Sequence, residues 1–394
     1  MKRVLFVDHV DLILGGAEIN LIELLSVPEA SGRWEVGCAC APSGPLRDAL
    51  GKCPRVQLFR YTASVEFNRF RLVGCRGSLS KIWSGWRSVR RAAAELEDIR
   101  AAFRPDALVS CANKDHFASA FLRSSESTRA FWWVNDLLTP DFFSWPARRL
   151  FSLMATRRAT GLVAVSRAVA QALVDAGVPS RNVRTIPNGI PVESYSRPAS
   201  GRLRSKIGAG NPLVGVLGRF TPWKGQHVAL DIVRQCVSRG QAVHFVFVGR
   251  AFNEDQEYEA ELHKFVARHN LSSSVTFMPF QSDVASVLAD LDIVLHTSVK
   301  PEPFGRVIIE AMAAGAIVIA AAAGGVKEII ESGSTGFLVD PGDVPAYVDA
   351  IQQALGNPAR RRAMIAAAKL AVKSQFSVER VFEQFDELIT SLKP

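Results

Sequence analysis

No two cysteines in this sequence stand as CxxC, and none sits with a histidine at the spacing of a zinc site. The cysteines, at 38, 40, 53, 75, 111 and 236, are therefore read as thiols of a reducing, cytosolic compartment. Cys38 and Cys40 alternate within an apolar run and belong to one face of a strand. Long hydrophobic runs are missing as well. The longest weakly polar stretch, Ala311 to Val326, is rich in alanine, contains glycines and falls short of a membrane span. The start MKRVLFVDHVD has a basic tip, but Asp8 and Asp11 interrupt it too early for a signal peptide, so a first strand is expected there. GGAE at Gly15 to Glu18 lacks the full GxGxxG fingerprint and does not indicate NAD.

What is present describes an ordinary globular chain. With 394 residues, 48% hydrophobic and 22% charged, it can bury sizeable cores, and its length favours two domains over one. The net charge of +9 is unevenly placed: residues 1 to 200 hold 27 basic and 18 acidic residues, and 201 to 394 hold 20 of each. The densest excess runs from Arg60 to Arg104, ten basic against four acidic, with Trp83 and Trp86 inside it. A basic amphipathic helix with tryptophans lies on an anionic membrane surface or binds an acidic partner; a solvated helix face is the competing reading. Nucleic acid is not among the expected partners.

Short apolar runs alternate with helical patterns along the whole chain. Strands are expected at Arg3 to Val7, Trp34 to Cys40, Val56 to Phe59, Ala107 to Cys111, Ala130 to Val134, Gly161 to Val165 and Val183 to Ile186. A Pro-, Gly-, Ser- and Arg-rich stretch, residues 191 to 212, reads as a linker. A second series follows at Leu213 to Leu217, Val243 to Val248, Val275 to Met278, Ile293 to His296, Ile317 to Ala321 and Phe337 to Val339. The architecture is therefore α/β and repeated, each half a parallel sheet covered by helices.

The most informative stretch is His296 to Asp343. Glu302 and Glu310 are separated by seven residues, and Pro303 suits a first helical position, which predicts a helix beginning there. The N–H groups of Phe304, Gly305 and Arg306 would then face an anion, with Gly305 allowing close approach. Two carboxylates on either side of an anion suit a nucleotide sugar. In GRFTPWKG, Arg219 and Lys224 lie five apart after a strand and suit a diphosphate. Asp290-Leu291-Asp292 looks like a metal-binding DxD, yet its place between a helix and a buried strand favours a helix end.

The run from Ser298 through PEPFG, EAMAAG, Gly324-Gly325 and TGFLV resembles the carboxy-terminal domain of the retaining glycosyltransferases of family 4, of GT-B fold. GR…KG at Arg219 and Lys224, and VAVSRAVAQAL…PNGI before the linker, resemble the same family. The resemblance implies two Rossmann-like domains facing across a cleft: residues 1–195 on the acceptor side, with the helical segment 376–394 crossing back, and 205–375 binding the donor. It implies transfer of a hexose from a UDP- or GDP-linked sugar, with retention, to a carbohydrate or lipid-linked carbohydrate, without a cofactor or metal.

By the same resemblance Glu302 holds the donor sugar, Glu310 the ribose, and Phe304, Gly305, Arg306 and Val307 the diphosphate with Arg219 and Lys224. Gly15 and Gly16 approach the sugar diphosphate, and Gly249, Phe280 and Gln281 lie near the nucleotide, with Phe280 placed to stack on the base. Asn135 stands where the family carries a histidine. An amide holds a hydroxyl but exchanges no proton near neutral pH, so His116 is the alternative at that mouth. A non-catalytic relative would be expected to have lost Glu302, Arg219 or Lys224, and all three are present.

Overall fold

The computed structural model describes residues 1–13, 15–62, 79–123, 127–208 and 210–391. The basic run expected to form a surface helix falls partly outside them: residues 63–78 and the Trp83 side chain are not described. The chain divides into two units, Met1–Gly189 with Val378–Pro394, and Ile190–Ser377.

The first unit begins with β1 (Lys2–Asp8), α1 (Gly16–Leu25), α2 (Pro28–Arg33), β2 (Trp34–Cys40), α3 (Pro45–Leu50) and β3 (Val56–Arg60). It continues with α4 (Leu79–Phe103), β4 (Ala107–Ser110), α5 (Asn113–Ser119), β5 (Arg129–Val134), α6 (Trp145–Arg158), β6 (Gly161–Ala164), α7 (Arg167–Asp175) and β7 (Val183–Thr185). The sheet is parallel throughout, in the order β3-β2-β1-β4-β5-β6-β7. Right-handed crossovers moving in one direction place α4, α5 and α6 on one face, where α4 packs on α5 and α5 on α6. Leu5, Val7, Ala39, Leu96, Phe103 and Leu108 fill the core beneath α4.

The second unit contains α8 (Val192–Tyr195), α9 (Arg202–Ile207), β8 (Leu213–Leu217), α10 (Gln226–Ser238), β9 (His244–Val248), α11 (Gln256–Arg268), β10 (Val275–Met278) and α12 (Val284–Asp290). After these come β11 (Ile293–His296), α13 (Arg306–Ala314), β12 (Ile317–Ala321), β13 (Phe337–Val339), α14 (Val344–Gly356) and α15 (Pro358–Gln375). Its sheet is also parallel, in the order β10-β9-β8-β11-β12-β13. Strands covered on both faces must be apolar at every position, and HFVFV and IVIAA are buried along their whole length.

The stretch whose composition reads as a linker folds onto this second unit. Asp290 accepts the backbone N–H groups of Gly201 and Leu203, both at 2.8 Å, and so fixes the start of α9. Asp292 accepts from the N–H of Leu213 at 2.8 Å and pairs with Arg204 and Arg361. Both aspartates of the DLD sequence are thus engaged in holding chain segments together. The last helix, α16 (Val378–Ser391), belongs to the first unit and packs on α1. Phe382 meets Trp34 at 4.6 Å between ring centroids, Phe385 meets Trp133 at 4.7 Å, and Arg33 binds both oxygens of Glu383.

Candidate functional site

In the second unit β8 and β11 are neighbours, while the strands that follow them lie on opposite sides. Connections that part in this way open a crevice at the carboxyl ends of the two strands, the usual ligand position in open α/β sheets. Arg219 and Lys224 follow β8, and Glu302 follows β11. Residues far apart in sequence therefore reach one place.

The short 3₁₀ turn Pro222–Lys224 is fastened to the end of β11. Thr297 donates its hydroxyl to the carbonyl of Gly225 at 2.9 Å, and the N–H of Val299 bonds the carbonyl of Trp223 at 2.9 Å. Gly225 has φ +71°, and a Cβ there would stand 2.0 Å from the Thr297 carbonyl oxygen, so only glycine permits this approach. Lys224, held on this turn, places Nζ 2.8 Å from both carboxylate oxygens of Glu302. Its ammonium also lies 4.3 Å from the centre of the Trp223 ring.

Glu302 is buried and multiply bonded. Its Oε2 lies 3.1 Å from the Ser298 hydroxyl and 3.2 Å from His296 Nε2. Burial alone would raise its pKa, but the Lys224 charge and the His296 and Lys224 hydrogen bonds outweigh burial and hold the carboxyl well below the usual range. The backbone is fixed with equal care. The N–H of Gly325 bonds the Glu302 carbonyl at 2.9 Å, and a Cβ on Gly324, φ +66°, would meet that carbonyl oxygen at 2.1 Å.

This pairing corrects the expected start of the helix. Glu302 bridges Gly324 in parallel fashion, which keeps residues 302 to 304 out of a helix, and α13 starts at Arg306 with Gly305, φ +101°, as its cap. Pro303 is not its first residue. The N–H groups at the helix start are those of Arg306 and Val307, and the Phe304 ring is turned into the interior, 5.8 Å from Phe376. Glu310, one turn inside, accepts from Arg306 Nε at 2.6 Å, and both side chains are nine-tenths buried.

The remaining donor-side candidates are placed as follows. Arg219 is half-buried, and among the described residues its side chain has no hydrogen-bond or ion-pair partner; its carbonyl accepts from Gln226. Gly249 follows β9 and joins its N–H to the Met278 carbonyl at 3.0 Å. Phe280 exposes 60% of its surface, a free aromatic face, and Gln281 turns back onto the Pro279 carbonyl.

In the first unit Gly15 caps α1, and its N–H is already taken by Glu18 Oε2 at 2.9 Å. Gly16 is the first residue of that helix. Asn135 follows β5 and gives its amide N–H groups to the Cys111 and Trp133 carbonyls at 3.3 Å, while its Oδ1 is buried without a partner among the described residues. His116 is a core residue. Its ring stacks on Trp132 at 5.1 Å, Nδ1 lies 2.7 Å from the Ser110 hydroxyl, and burial, then the His9 charge, pushes it down to about 3. It therefore does not supply the proton exchange that Asn135 lacks.

Sequence reasoning missed one cluster. Asp8, His9 and Asp115, all buried, bring ligand-type atoms within 4.8 Å of one another. Asp115 Oδ2 lies 2.9 Å from both the backbone N and Nδ1 of His9, and Asp115 Oδ1 has no partner among the described residues. Burial, then the charges of Asp115 and Glu18, pushes the Asp8 carboxyl well above its usual range. The signal was present in VDH, two titratable side chains at the carboxyl end of the first strand. Their partner, 106 positions away, could not be read.

Comparison with known proteins covers both halves. The family described as Glycosyltransferase Family 4 matches residues 15–194, and that described as Glycosyl transferases group 1 matches residues 202–371. Spore coat protein SA of Bacillus subtilis is 27% identical over 237 residues, 56% of this chain and 62% of that protein. The lipopolysaccharide 1,2-N-acetylglucosaminetransferase of Salmonella typhimurium is 29% identical over 224 residues, 55% of this chain and 58% of its own length. These matches span less than two thirds of either relative. Among solved structures, Anabaena Alr3699/HepE in complex with UDP-glucose covers 100% of both chains at 28% identity and a TM-score of 0.85. Sucrose-phosphate synthase from Thermosynechococcus elongatus shares the fold, with a TM-score of 0.80 at 21% identity.

Proposed function

This chain belongs to glycosyltransferase family 4, and from that premise we propose that it transfers a hexose, with retention of configuration, from a UDP-linked sugar. The observation that carries the proposal is the Lys224–Glu302 pair at the β8/β11 crevice: an ammonium for a diphosphate and a carboxylate for sugar hydroxyls, 2.8 Å apart. Arg219, which follows β8 as Lys224 does, and the N–H groups of Arg306 and Val307 supply further positive character, so the departing diphosphate is stabilised without a metal ion. Glu302 holds the donor sugar, Glu310 with Arg306 lies toward the ribose, and Phe280 offers a face to the base. That HepE was solved with UDP-glucose supports UDP over GDP. The test is thermal stabilisation by a panel of UDP- and GDP-sugars with chelator present, then turnover of the best binder. No stabilisation by any of them, or turnover lost to chelator and restored by manganese, would overturn the donor reading or its metal-free form respectively.

For the acceptor we propose a lipid-linked glycan met at an anionic membrane surface by the first unit. Support comes from the layer of helices on one face of its sheet. On α4, Trp86, Arg87, Arg90 and Arg91 are exposed, and α6 exposes Trp145, Leu150 and Leu153 among arginines with no acidic residue in the helix. No described helix is long and apolar enough to cross a membrane, so the contact is peripheral.

A further inference from the structure

Glu302 is held from two sides by groups of different chemistry. On one side is Lys224, a charge on a flexible stem, bonded to both oxygens. On the other, His296 Nε2 and the Ser298 hydroxyl both reach Oε2, at 3.2 and 3.1 Å, and they stand 3.2 Å from each other. His296 ends β11, and its carbonyl accepts from the buried Tyr347 hydroxyl of α14 at 2.9 Å, so its backbone is anchored independently of the site. Its Nδ1 is buried and has no partner among the described residues. A buried imidazole serving the fold alone would be expected to satisfy both nitrogens. Here one is left bare and the other is turned to the carboxylate, which assigns the proton to Nε2 and makes the ring a donor to Glu302.

The two holds cannot both persist once a diphosphate is present. On the reading of the donor site given above, an ammonium beside a dianionic group redistributes toward it, and Glu302 loses its bidentate partner at the moment it must meet sugar hydroxyls in fixed geometry. We propose that His296, with Ser298, is the positioning residue that keeps the Glu302 carboxylate in place when the donor draws Lys224 away. Among the described residues, the charged groups beside the ring are Glu302 and, behind that carboxylate, Lys224. As Lys224 withdraws, the imidazole N–H and the Ser298 hydroxyl are the side-chain hydrogen bonds left on the carboxylate.

The experiment has one arm that needs no turnover. The imidazole N–H proton signal that disappears in His296→Gln is followed by NMR at one pH in the wild type, before and after addition of UDP, and in Lys224→Met. It should persist, protected from exchange with water, in Lys224→Met and in the UDP-bound wild type, because the bond to Glu302 remains when Lys224 is gone. Loss of the signal in either overturns the proposal. In the second arm His296→Ala should lower kcat at least tenfold with the UDP dissociation constant within twofold of wild type. His296→Gln, whose amide N–H stands near the place of Nε2, should restore most of it. Equal loss in both folded variants, or unchanged kcat in His296→Ala, would show that the ring does not position Glu302. If the wild type turns over no nucleotide sugar, the proposed function fails while the imidazole N–H signal still decides the pairing.

Discussion

At the scale of single residues, the site depends on which partners leave when a ligand arrives. Glu302→Ala removes the proposed sugar contact but not the groups that meet a diphosphate, so kcat is expected to fall by two orders of magnitude or more while UDP affinity stays within a few fold. Calorimetric titration with UDP checks this; equal loss of UDP binding would assign Glu302 to the nucleotide instead. His116 gives a prediction about stability. Its pKa in the folded chain, about 3, lies below the unfolded value near 6.5, so the folded state binds fewer protons. The stability it contributes is complete above pH 6.5 and declines as pH falls toward 3, by about 1.4 kcal/mol per unit. Unfolding free energies from denaturant titrations at pH 6.5 and 5 should differ by about 1.6 kcal/mol more in wild type than in His116→Gln. An identical pH slope in the two proteins would remove His116 as the cause.

Elements show what a sequence makes legible and what it does not. Strands buried on both faces are continuous apolar runs, so β2, β8, β11 and β12 lie where the sequence places them, residue for residue, as do the half-buried edge strands β10 and β13. Pro303 misled because its helix-starting preference is local, whereas the bond from Gly325 to the Glu302 carbonyl, which keeps that segment extended, comes from a loop more than twenty residues later. The 191–212 stretch misled for a related reason: its composition is that of a linker, and the side chain that fixes it, Asp290, lies elsewhere. That Glu302 and Lys224 share one place was legible through the family resemblance, while the His9–Asp115 pair was not, since neither residue stands in a motif. The last helix is also legible, through its strongly one-sided pattern. Phe382 and Phe385 are fully buried in the first unit, so Phe385→Ala should cost about 3–5 kcal/mol. The loss should appear as an earlier unfolding transition of that unit, and an unchanged midpoint would mean that α16 adds nothing to its stability.

At the scale of the whole molecule, the charge is the property no single site explains. All of the net +9 falls in residues 1 to 200. Within the described part of that half, basic residues concentrate on α4 and α6, which a common crossover direction places on one face of the sheet. Trp145 at the start of α6 exposes 68% of its surface and Trp86 on α4 exposes 48%, so aromatic and basic groups share that layer. An anionic bilayer matches both, because each basic residue near such a surface contributes about 1 kcal/mol at most, decaying within a Debye length, and indole settles at the headgroup level. Each helix alone gives weak attraction. Together they are expected to give reversible, salt-sensitive association, and the two contributions can be separated. Reversing Arg87, Arg90 and Arg91 to Glu should weaken cosedimentation with phosphatidylserine vesicles and flatten its salt dependence. Replacing Trp145, Leu150 and Leu153 by Ser should weaken binding while leaving the salt dependence unchanged. Turnover of a water-soluble acceptor analogue should persist in both variants. If the wild type does not sediment with such vesicles at low salt, the arginines are a solvated surface, and a soluble acceptor replaces the lipid-linked one.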